Sequence, residues 1–172
     1  MTRILGIDPG SRLTGYGLIE MNAGTARHIS HGTIRLPQSE ITEKLSTLFQ
    51  QLILIIDEFN PEEVSIENIF LHKNADSALK LGQARGCAIT ACAEKNLPVF
   101  EYSANQVKQA TVGKGHAAKQ QVQHMIKVLL RLDSSPEVDA ADALAIAICH
   151  GHHREGLKKM LGVNQHNRRG MK

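Results

Sequence analysis

The chain has 172 residues, 42% of them hydrophobic, and a formal net charge of +3. This length suits one domain that can bury a sizeable core. Its apolar runs all fall short of the roughly 20 residues that span a membrane, and the N-terminus begins with a strand-like segment rather than a secretory signal. We therefore expect a cytosolic (cytoplasmic) protein that does not enter a membrane.

The positive charge is concentrated at the C-terminal end. Residues 151–172 hold six Lys or Arg side chains against one acid, a balance of +5, which leaves −2 for residues 1–150. Because this segment lacks periodic apolar residues, we predict one domain over 1–150 followed by a flexible basic tail. The tail could be merely solvated, or it could be an arm attracted to phosphate, and charge alone does not separate the two.

The first part of the chain predicts a β-meander followed by a helix and a strand. Short apolar runs separated by turn-forming residues predict strands over 3–8, 13–20 and 28–36. Apolar residues then recur at three- and four-residue steps, which predicts an amphipathic helix over 40–59, with Ser39 as its N-cap. Residues 64–70 predict a fourth strand that leaves the core at Glu67.

The rest of the chain alternates between helices and strands. Residues 75–94 are rich in Ala and Gly and predict a helix, whose glycines imply close packing against a sheet or against a second copy of the helix. A strand over 97–102 precedes a short helix that ends near Ala110 and begins with the capping-box spacing of Ser103 and Gln106. The remaining predicted elements are a loop at 111–116, a helix over 117–132, a turn at 133–138 and a last helix from Asp139 to about His150. This order indicates an α/β fold with a mixed β-sheet flanked by α-helices.

Four acidic residues lie at the ends of predicted elements, next to apolar residues. Asp8 ends the first strand and Glu67 ends the fourth, while Asp139 and Asp142 share one face of the last helix. A single acid in a first helical turn is more often a response to the helix dipole than a ligand, and for Asp139 alone we favour that explanation. It explains neither Asp142 nor the two acids at strand ends. We therefore expect the four acids to form one site.

Such a site favours metal-dependent hydrolysis of phosphodiesters. Carboxylates brought together raise one another's pKa by repulsion, and divalent cations remove that penalty. Hard oxygen ligands suit Mg²⁺ or Mn²⁺, and a pair of such ions is a common means of cutting a phosphodiester. The chain contains no G-x-x-x-x-G-K-[ST] segment, so nucleotide hydrolysis through a P-loop is unsupported.

Four segments of the chain carry a family resemblance. They are GIDPGSRLTGYG, SIENIFLHKNADSALKLGQARG, VFEYSANQVKQATVGKGHAAKQQVQHM and DAADALAIAICH. In order and spacing, from Ile4 to about His150, they resemble the RuvC family of Holliday junction endonucleases. The second and third segments are very specific, and the tail after residue 150 shows no comparable match.

The resemblance implies a set of functional residues. The family's catalytic and metal-binding acidic tetrad falls on Asp8, Glu67, Asp139 and Asp142. This implies two Mg²⁺ ions per active site, with Mn²⁺ able to substitute. Some family members have His at the position of Asp139.

The resemblance also implies three DNA-binding residues. The family's aromatic residue near the junction centre falls on Phe70, and its cleft lysines fall on Lys108 and Lys119. By its place alone, Phe70 could equally be a core residue at a strand end, whereas an exposed aromatic can stack on an unpaired base for roughly 1–3 kcal/mol. The two lysines could be solvated helix residues, or their ammonium groups could hold phosphate or transition-state charge.

At the level of the whole molecule, the resemblance implies a ribonuclease-H-like fold and a homodimer. Each of its two active sites would nick one strand of a four-way DNA junction, symmetrically, in recombination and repair. It further implies a partnership with a branch-migration complex, made of a junction-binding protein and a ring ATPase. The small-residue helix at 75–94 fits a two-fold dimer contact, although packing against the sheet explains it nearly as well.

Three other functions are consistent with parts of the pattern. The GIDPG segment also resembles the first phosphate loop of sugar kinases and other actin-like ATPases, but those chains are far longer and have a second glycine-rich loop. A branched-DNA-binding module without catalysis should have lost some of the four acids. A ribonuclease-H-like nuclease of other specificity, acting for example on RNA–DNA hybrids, is not excluded by the acids alone.

Overall fold

The computed structural model describes residues 1–68, 75–115 and 117–169. Within them, five strands and five helices follow one another in an order that starts with a meander and then alternates helix and strand. None of the helices in this part of the chain is long and apolar enough to cross a membrane. In chain order the elements are β1 (Thr2–Asp8), β2 (Leu13–Asn22), β3 (Thr25–Arg35), α1 (Ile41–Phe59), β4 (Glu63–Glu67), α2 (Ala75–Glu94), β5 (Val99–Tyr102), α3 (Ala104–Val112), α4 (Lys119–Leu129) and α5 (Val138–Arg169).

The five strands form one mixed sheet in the order β3-β2-β1-β4-β5. The meander β1–β2–β3 pairs antiparallel, whereas β4 pairs parallel to β1, and β5 pairs parallel to β4. The C-terminal ends of β1, β4 and β5 therefore lie at one edge of the sheet. The prediction of a mixed sheet flanked by helices is confirmed.

Helices cover both faces of this sheet. Because side chains alternate along a strand, Ile4 faces one side while Leu5 and Ile7 face the other. One core contains Leu5 and Ile7 together with apolar residues of α1 and α2. The other contains Ile4 together with apolar residues of α3, α4 and α5. The core that contains Ile4 holds α5 against the face of β1 to which Asp8 also belongs.

Glycines let α5 lie directly on the strands. A Cβ atom built on Gly6 would meet the carbonyl oxygen of Ala143 at 2.0 Å, and one built on Gly15 would meet the carbonyl oxygen of Asp139 at 2.0 Å. Both distances are shorter than any real Cβ contact. Only glycine therefore allows this approach, which brings the first turns of α5 to the end of β1.

Several predicted boundaries differ from those in the structure. Glu40, and not Ser39, is the N-cap of α1, and it makes no side-chain cap hydrogen bond. The last helix does not end near His150 but continues to Arg169, so most of the segment predicted as a flexible tail is helical. No proline interrupts this stretch, and its many Leu, Lys, Met, Gln and Arg residues all favour helix. By contrast, the capping box of Ser103 and Gln106 is present as predicted.

Candidate active site

Asp8 is the last residue of β1, at the sheet edge where the chain turns back into β2. The turn is held by Thr14, which is fully buried and whose side-chain oxygen accepts a hydrogen bond from the Gly10 N–H at 3.3 Å. A Cβ atom on Gly10 would lie 2.0 Å from the Leu13 carbonyl oxygen, so the turn itself requires glycine. In the β1–β2 ladder Asp8 is directly opposite Gly15. The turn glycine thus shapes the backbone, and the strand glycine leaves room beside Asp8.

Glu67 ends β4 at the same edge. Because β4 runs parallel to β1 and Ile66 is in register with Ile7, Glu67 and Asp8 occupy equivalent places on neighbouring strands. The carbonyl of Glu67 accepts a hydrogen bond from Nε of Arg85 on α2 at 3.3 Å, which ties the end of β4 to that helix. The pairing of these two strands thus brings two of the four predicted acids to the same end of the sheet.

The other two acids come from the start of α5. Asp139 lies in its first turn and Asp142 one turn later. The residues of α5 between and after these two acids are buried Ala, Leu and Ile, so this part of the helix packs on the sheet. Asp139 and Asp142 therefore lie close to the sheet as well. The start of α5 therefore places two acids near the sheet edge at which β1 and β4 place the other two.

A small cleft joins most of the predicted site residues. It encloses about 200 Å³ and lies between the sheet edge, α3, α4 and α5. The apolar part of its wall includes Val107, Val122 and Ile146. The charged residues of the wall are Asp8, Glu67, Lys108, Lys119 and Asp142. Asp139 is not part of this wall, although it lies close enough to act electrostatically.

Burial of the carboxylates is the main electrostatic feature of the cleft, and repulsion between them adds to it. Burial, followed by the charges of Asp142, Glu67 and Asp139, raises the pKa of Asp8 to about 8, while Lys119 opposes the rise. Burial also raises the pKa of Asp142 above its ordinary value, against the lowering effect of Lys119. Without a cation, Asp8 therefore keeps its proton at neutral pH, and the site lacks its full set of negative charges.

Lys119 is in direct contact with one of the acids. Its Nζ lies 3.6 Å from Oδ2 of Asp142, and its side chain is otherwise exposed. Lys108, from α3, also acts to lower the pKa of Asp142. Both lysines thus reach the cleft from separate helices, which places them where a phosphate entering the cleft would meet positive charge.

The donor set fits Mg²⁺ chemically. In the described ranges, no three His, Cys, Asp or Glu side chains are grouped so as to hold one ion by themselves. Mg²⁺ does not require such a cage, because it keeps several waters and binds through one or two carboxylates together with substrate phosphates. All four acids offer hard oxygen ligands, and a cation would relieve the repulsion that raises the pKa of Asp8. One or two carboxylates from among Asp8, Glu67 and Asp142 would hold it from the cleft wall together with water and substrate, with Asp139 beside them.

Other predictions concerning the site have different outcomes. Phe70 lies outside the described residues. The strand glycines Gly6, Gly15 and Gly17 let α5 reach the site, a role for which the sequence analysis makes no prediction. A signal was present, because Gly15 and Gly17 alternate along β2 and so face the same side.

Comparison with known proteins identifies the family. A sequence model described as "Crossover junction endodeoxyribonuclease RuvC" matches residues 4–150. The protein of that name from Aeromonas salmonicida is 55% identical over 162 residues, which cover 94% of each chain. The one from Halorhodospira halophila is 55% identical over 155 residues, 90% of this chain and 92% of the relative.

Solved structures show the same fold. Thermus thermophilus RuvC in complex with a Holliday junction substrate superposes with a TM-score of 0.84 and 34% identity, over 90% of this chain and 96% of that one. The yeast mitochondrial Holliday junction resolvase Ydc2 reaches a TM-score of 0.64 at 14% identity, over 93% of this chain and 86% of that one, which is a likeness of fold alone. The implied ribonuclease-H-like fold is confirmed. Taken together, the sequence match over 4–150 and these relatives show that the chain belongs to the crossover junction endodeoxyribonuclease RuvC family.

Proposed function

We propose that this chain is a Mg²⁺-dependent endonuclease that resolves four-way (Holliday) DNA junctions by paired symmetric nicks, in recombination and repair. The observation that carries the proposal is the cleft in which Asp8, Glu67 and Asp142 face Lys108 and Lys119, in a member of this family. A solved relative binds a Holliday junction substrate, as its name states. Two of the alternative functions are disfavoured. A non-catalytic module should lack some of the four acids, and all four are present, while the actin-like ATPases are far longer than this chain, which spans 94% of a RuvC relative.

The residues of the cleft divide the work by charge. Bound Mg²⁺, as one ion or two with Mn²⁺ as a substitute, would supply an activated water and would stabilise the leaving oxygen. Asp8, Glu67 and Asp142 would bind and orient it as carboxylates, and the negative charge of Asp139 beside them would add to the attraction for the cation. Lys119 opposes the rise in the pKa of Asp142, and with Lys108 it would hold the scissile phosphate. The apolar wall limits water around the reacting group.

A homodimer would give the two sites that paired nicks require. In support, no residue in the described part of the protomer packs on the outer face of α2 at its glycines. Cβ atoms on Gly82 and Gly86 would meet nothing within 4 Å, and the Leu79 side chain on the same face is 63% exposed. The opposite face of α2, through Ala84 and Ala88, already packs in the core. The glycines therefore do not serve packing against the sheet, and a second copy of the helix is the partner we propose for them.

A further DNA contact, a further partner and a location belong to the proposal through the family. Phe70 would contact bases near the junction centre, and a branch-migration complex of a junction-binding protein and a ring ATPase would deliver the junction. Both act where chromosomal DNA is, which for a bacterial family means the cytoplasm. The basic residues after His150 that belong to α5, which ends at Arg169, remain candidates for a phosphate contact.

The proposal is tested by cleavage of a synthetic four-way junction beside a linear duplex of the same sequence and an RNA–DNA hybrid, each with and without Mg²⁺. We expect paired nicks at symmetric positions of the junction, dependent on Mg²⁺, and little cutting of the other two substrates. Equal cutting of linear duplex would refute selectivity for the junction. Preferential cutting of the hybrid would instead assign the other nuclease specificity.

A further inference from the structure

Two adjoining concavities open on the α1 side of the sheet. The larger, of about 770 Å³, lies between the N-terminal turns of α1 and α2, and the smaller, of about 550 Å³, runs beside the end of β3. The side chains that line both of them are Ser11, Arg12, Leu36 and Lys44. We call the two concavities together the α1 groove. It is separate from the catalytic cleft, which lies on the α5 side of the sheet.

The α1 groove and the cleft open at the same edge of the sheet. Ser11 and Arg12 follow Asp8 by three and four residues, in the turn between β1 and β2. The carbonyl of Arg12 accepts a hydrogen bond from the N–H of Leu36 at 2.9 Å, which fixes this turn to the end of β3. A ligand that crosses this edge would therefore pass from Asp8 over Arg12 into the groove.

Positive charge in the groove is only partly compensated. Of its four cations, Lys80 pairs with Asp76 at 2.6 Å, and Arg35 lies 3.8 Å from Glu137. Arg12 and Lys44 form no ion pair with any residue in the part of the chain that the structure describes. The remaining acid on the groove wall, Glu40, is exposed at the N-cap of α1. The α1 groove thus presents two unpaired cations at the centre of an open, polar surface.

We propose that the α1 groove binds the sugar–phosphate backbone of a duplex arm as the arm leaves the catalytic cleft. The inference rests on the proposed function, because it assumes that junction DNA occupies the cleft. Duplex DNA carries one negative charge per roughly 1.7 Å of axis, so an arm crossing this edge brings a row of phosphates past Arg12 and Lys44. Arg and Lys side chains, Ser hydroxyls and helix N-termini are the groups that proteins use for such contacts, and the groove wall holds all of them.

The test measures how junction affinity depends on salt. Binding of a four-way junction without metal is compared between an Asp8→Asn background and the same protein carrying Arg12→Gln and Lys44→Gln. The affinity falls as salt rises, and each lost phosphate contact makes the slope of log affinity against log salt less steep by about 0.9. For the loss of two contacts we therefore expect a slope less steep by about 1.8. The matched control carries Arg27→Gln and Lys95→Gln, which remove one Arg and one Lys at the opposite edge of the sheet, and it should keep the slope.

Two further measurements make the result unambiguous. Hydroxyl-radical footprinting should show arm positions protected by the parent and by the control but open in the groove variant, and Arg12→Lys with Lys44→Arg should restore both slope and footprint. If the double variant fails to fold, each single variant should lower the slope by about 0.9. An unchanged slope or footprint would overturn the proposal, and so would a slope change caused by loss of the dimer. Failure of the proposed function would appear separately, as no junction cutting by the unaltered protein.

Discussion

Substitution Gly15→Ala tests whether the contact between β2 and α5 sets the active-site geometry. The added Cβ would lie 2.0 Å from the carbonyl oxygen of Asp139, and real Cβ contacts are essentially never below 3.0 Å. The backbone at Asp139 must therefore move by at least about 1 Å, and α5, being a helix, will move Asp142 with it. A misplacement of about 1 Å at a catalytic group lowers the rate on the order of 10²-fold, or about 2.7 kcal/mol in transition-state stabilisation.

The assay is single-turnover cleavage of a four-way junction with enzyme in excess, so that the rate reports the bound complex. Thermal unfolding of the same samples confirms that the variant is folded, with an overpacking penalty of about 1–3 kcal/mol. Gly156→Ala is the matched control, because it lies on the same helix and its Cβ would meet nothing within 4 Å. We expect the control to cleave normally. A folded Gly15→Ala protein that cleaves within about twofold of the unaltered rate would refute the reasoning.

Three further predictions concern the charges of the molecule. In metal-free protein, the pKa of Asp8 is about 8, above its value in the unfolded chain, so the stability of the fold falls as pH rises from about 4 to about 8. Asp8→Asn should therefore raise the melting temperature most at pH 8. A rise in melting temperature that is independent of pH would contradict this. Lys119→Gln should shift the rising limb of the pH–cleavage profile to higher pH, because Lys119 lowers the pKa of Asp8 and Asp142. A rising limb at the same pH would show that Lys119 does not act on these carboxylates. His150 is only 3% exposed and forms hydrogen bonds with both Glu63 and Tyr102. His150→Ala should therefore lower the free energy of unfolding, measured in urea, by about 2 kcal/mol, whereas His152→Ala, at an exposed position, should leave it unchanged. Equal effects of the two substitutions would show that the buried hydrogen bonds contribute nothing to stability.

Much of the architecture could be predicted because local rules and packing agree. The apolar period of α1 and the capping box at Ser103 each specify an element without reference to the rest of the chain. The end of α5 could not be predicted in this way. Its C-terminal part has little apolar periodicity, so it lacks the pattern that defines an amphipathic helix. Many of its residues nevertheless have a high intrinsic helix propensity. At α1, the cap prediction was wrong because Ser39 lies one residue before the helix boundary that the backbone adopts.

The candidate site was predictable from the cost of burying carboxylates. Asp8, Glu67 and Asp142 each lie among apolar residues at the end of an element, and the structure brings all three to one cleft. How closely α5 approaches the sheet depends on glycines whose purpose is ambiguous in sequence, since a strand glycine serves a turn, a bulge or a close contact equally well. For that reason neither the role of Gly15 nor the place of Asp139 outside the cleft wall could be predicted.

The central claim is that Asp8 is held at the end of β1 as a metal-binding carboxylate for cutting junction DNA. It is tested most directly by measuring junction binding and single-turnover cleavage on one preparation of Asp8→Asn, beside the unaltered protein, in Mg²⁺. The account predicts that the variant binds the junction as tightly as the unaltered protein while its cleavage rate falls by at least about 10²-fold, since a metal-binding and catalytic group is removed. Cleavage by Asp8→Asn at the unaltered rate would contradict it.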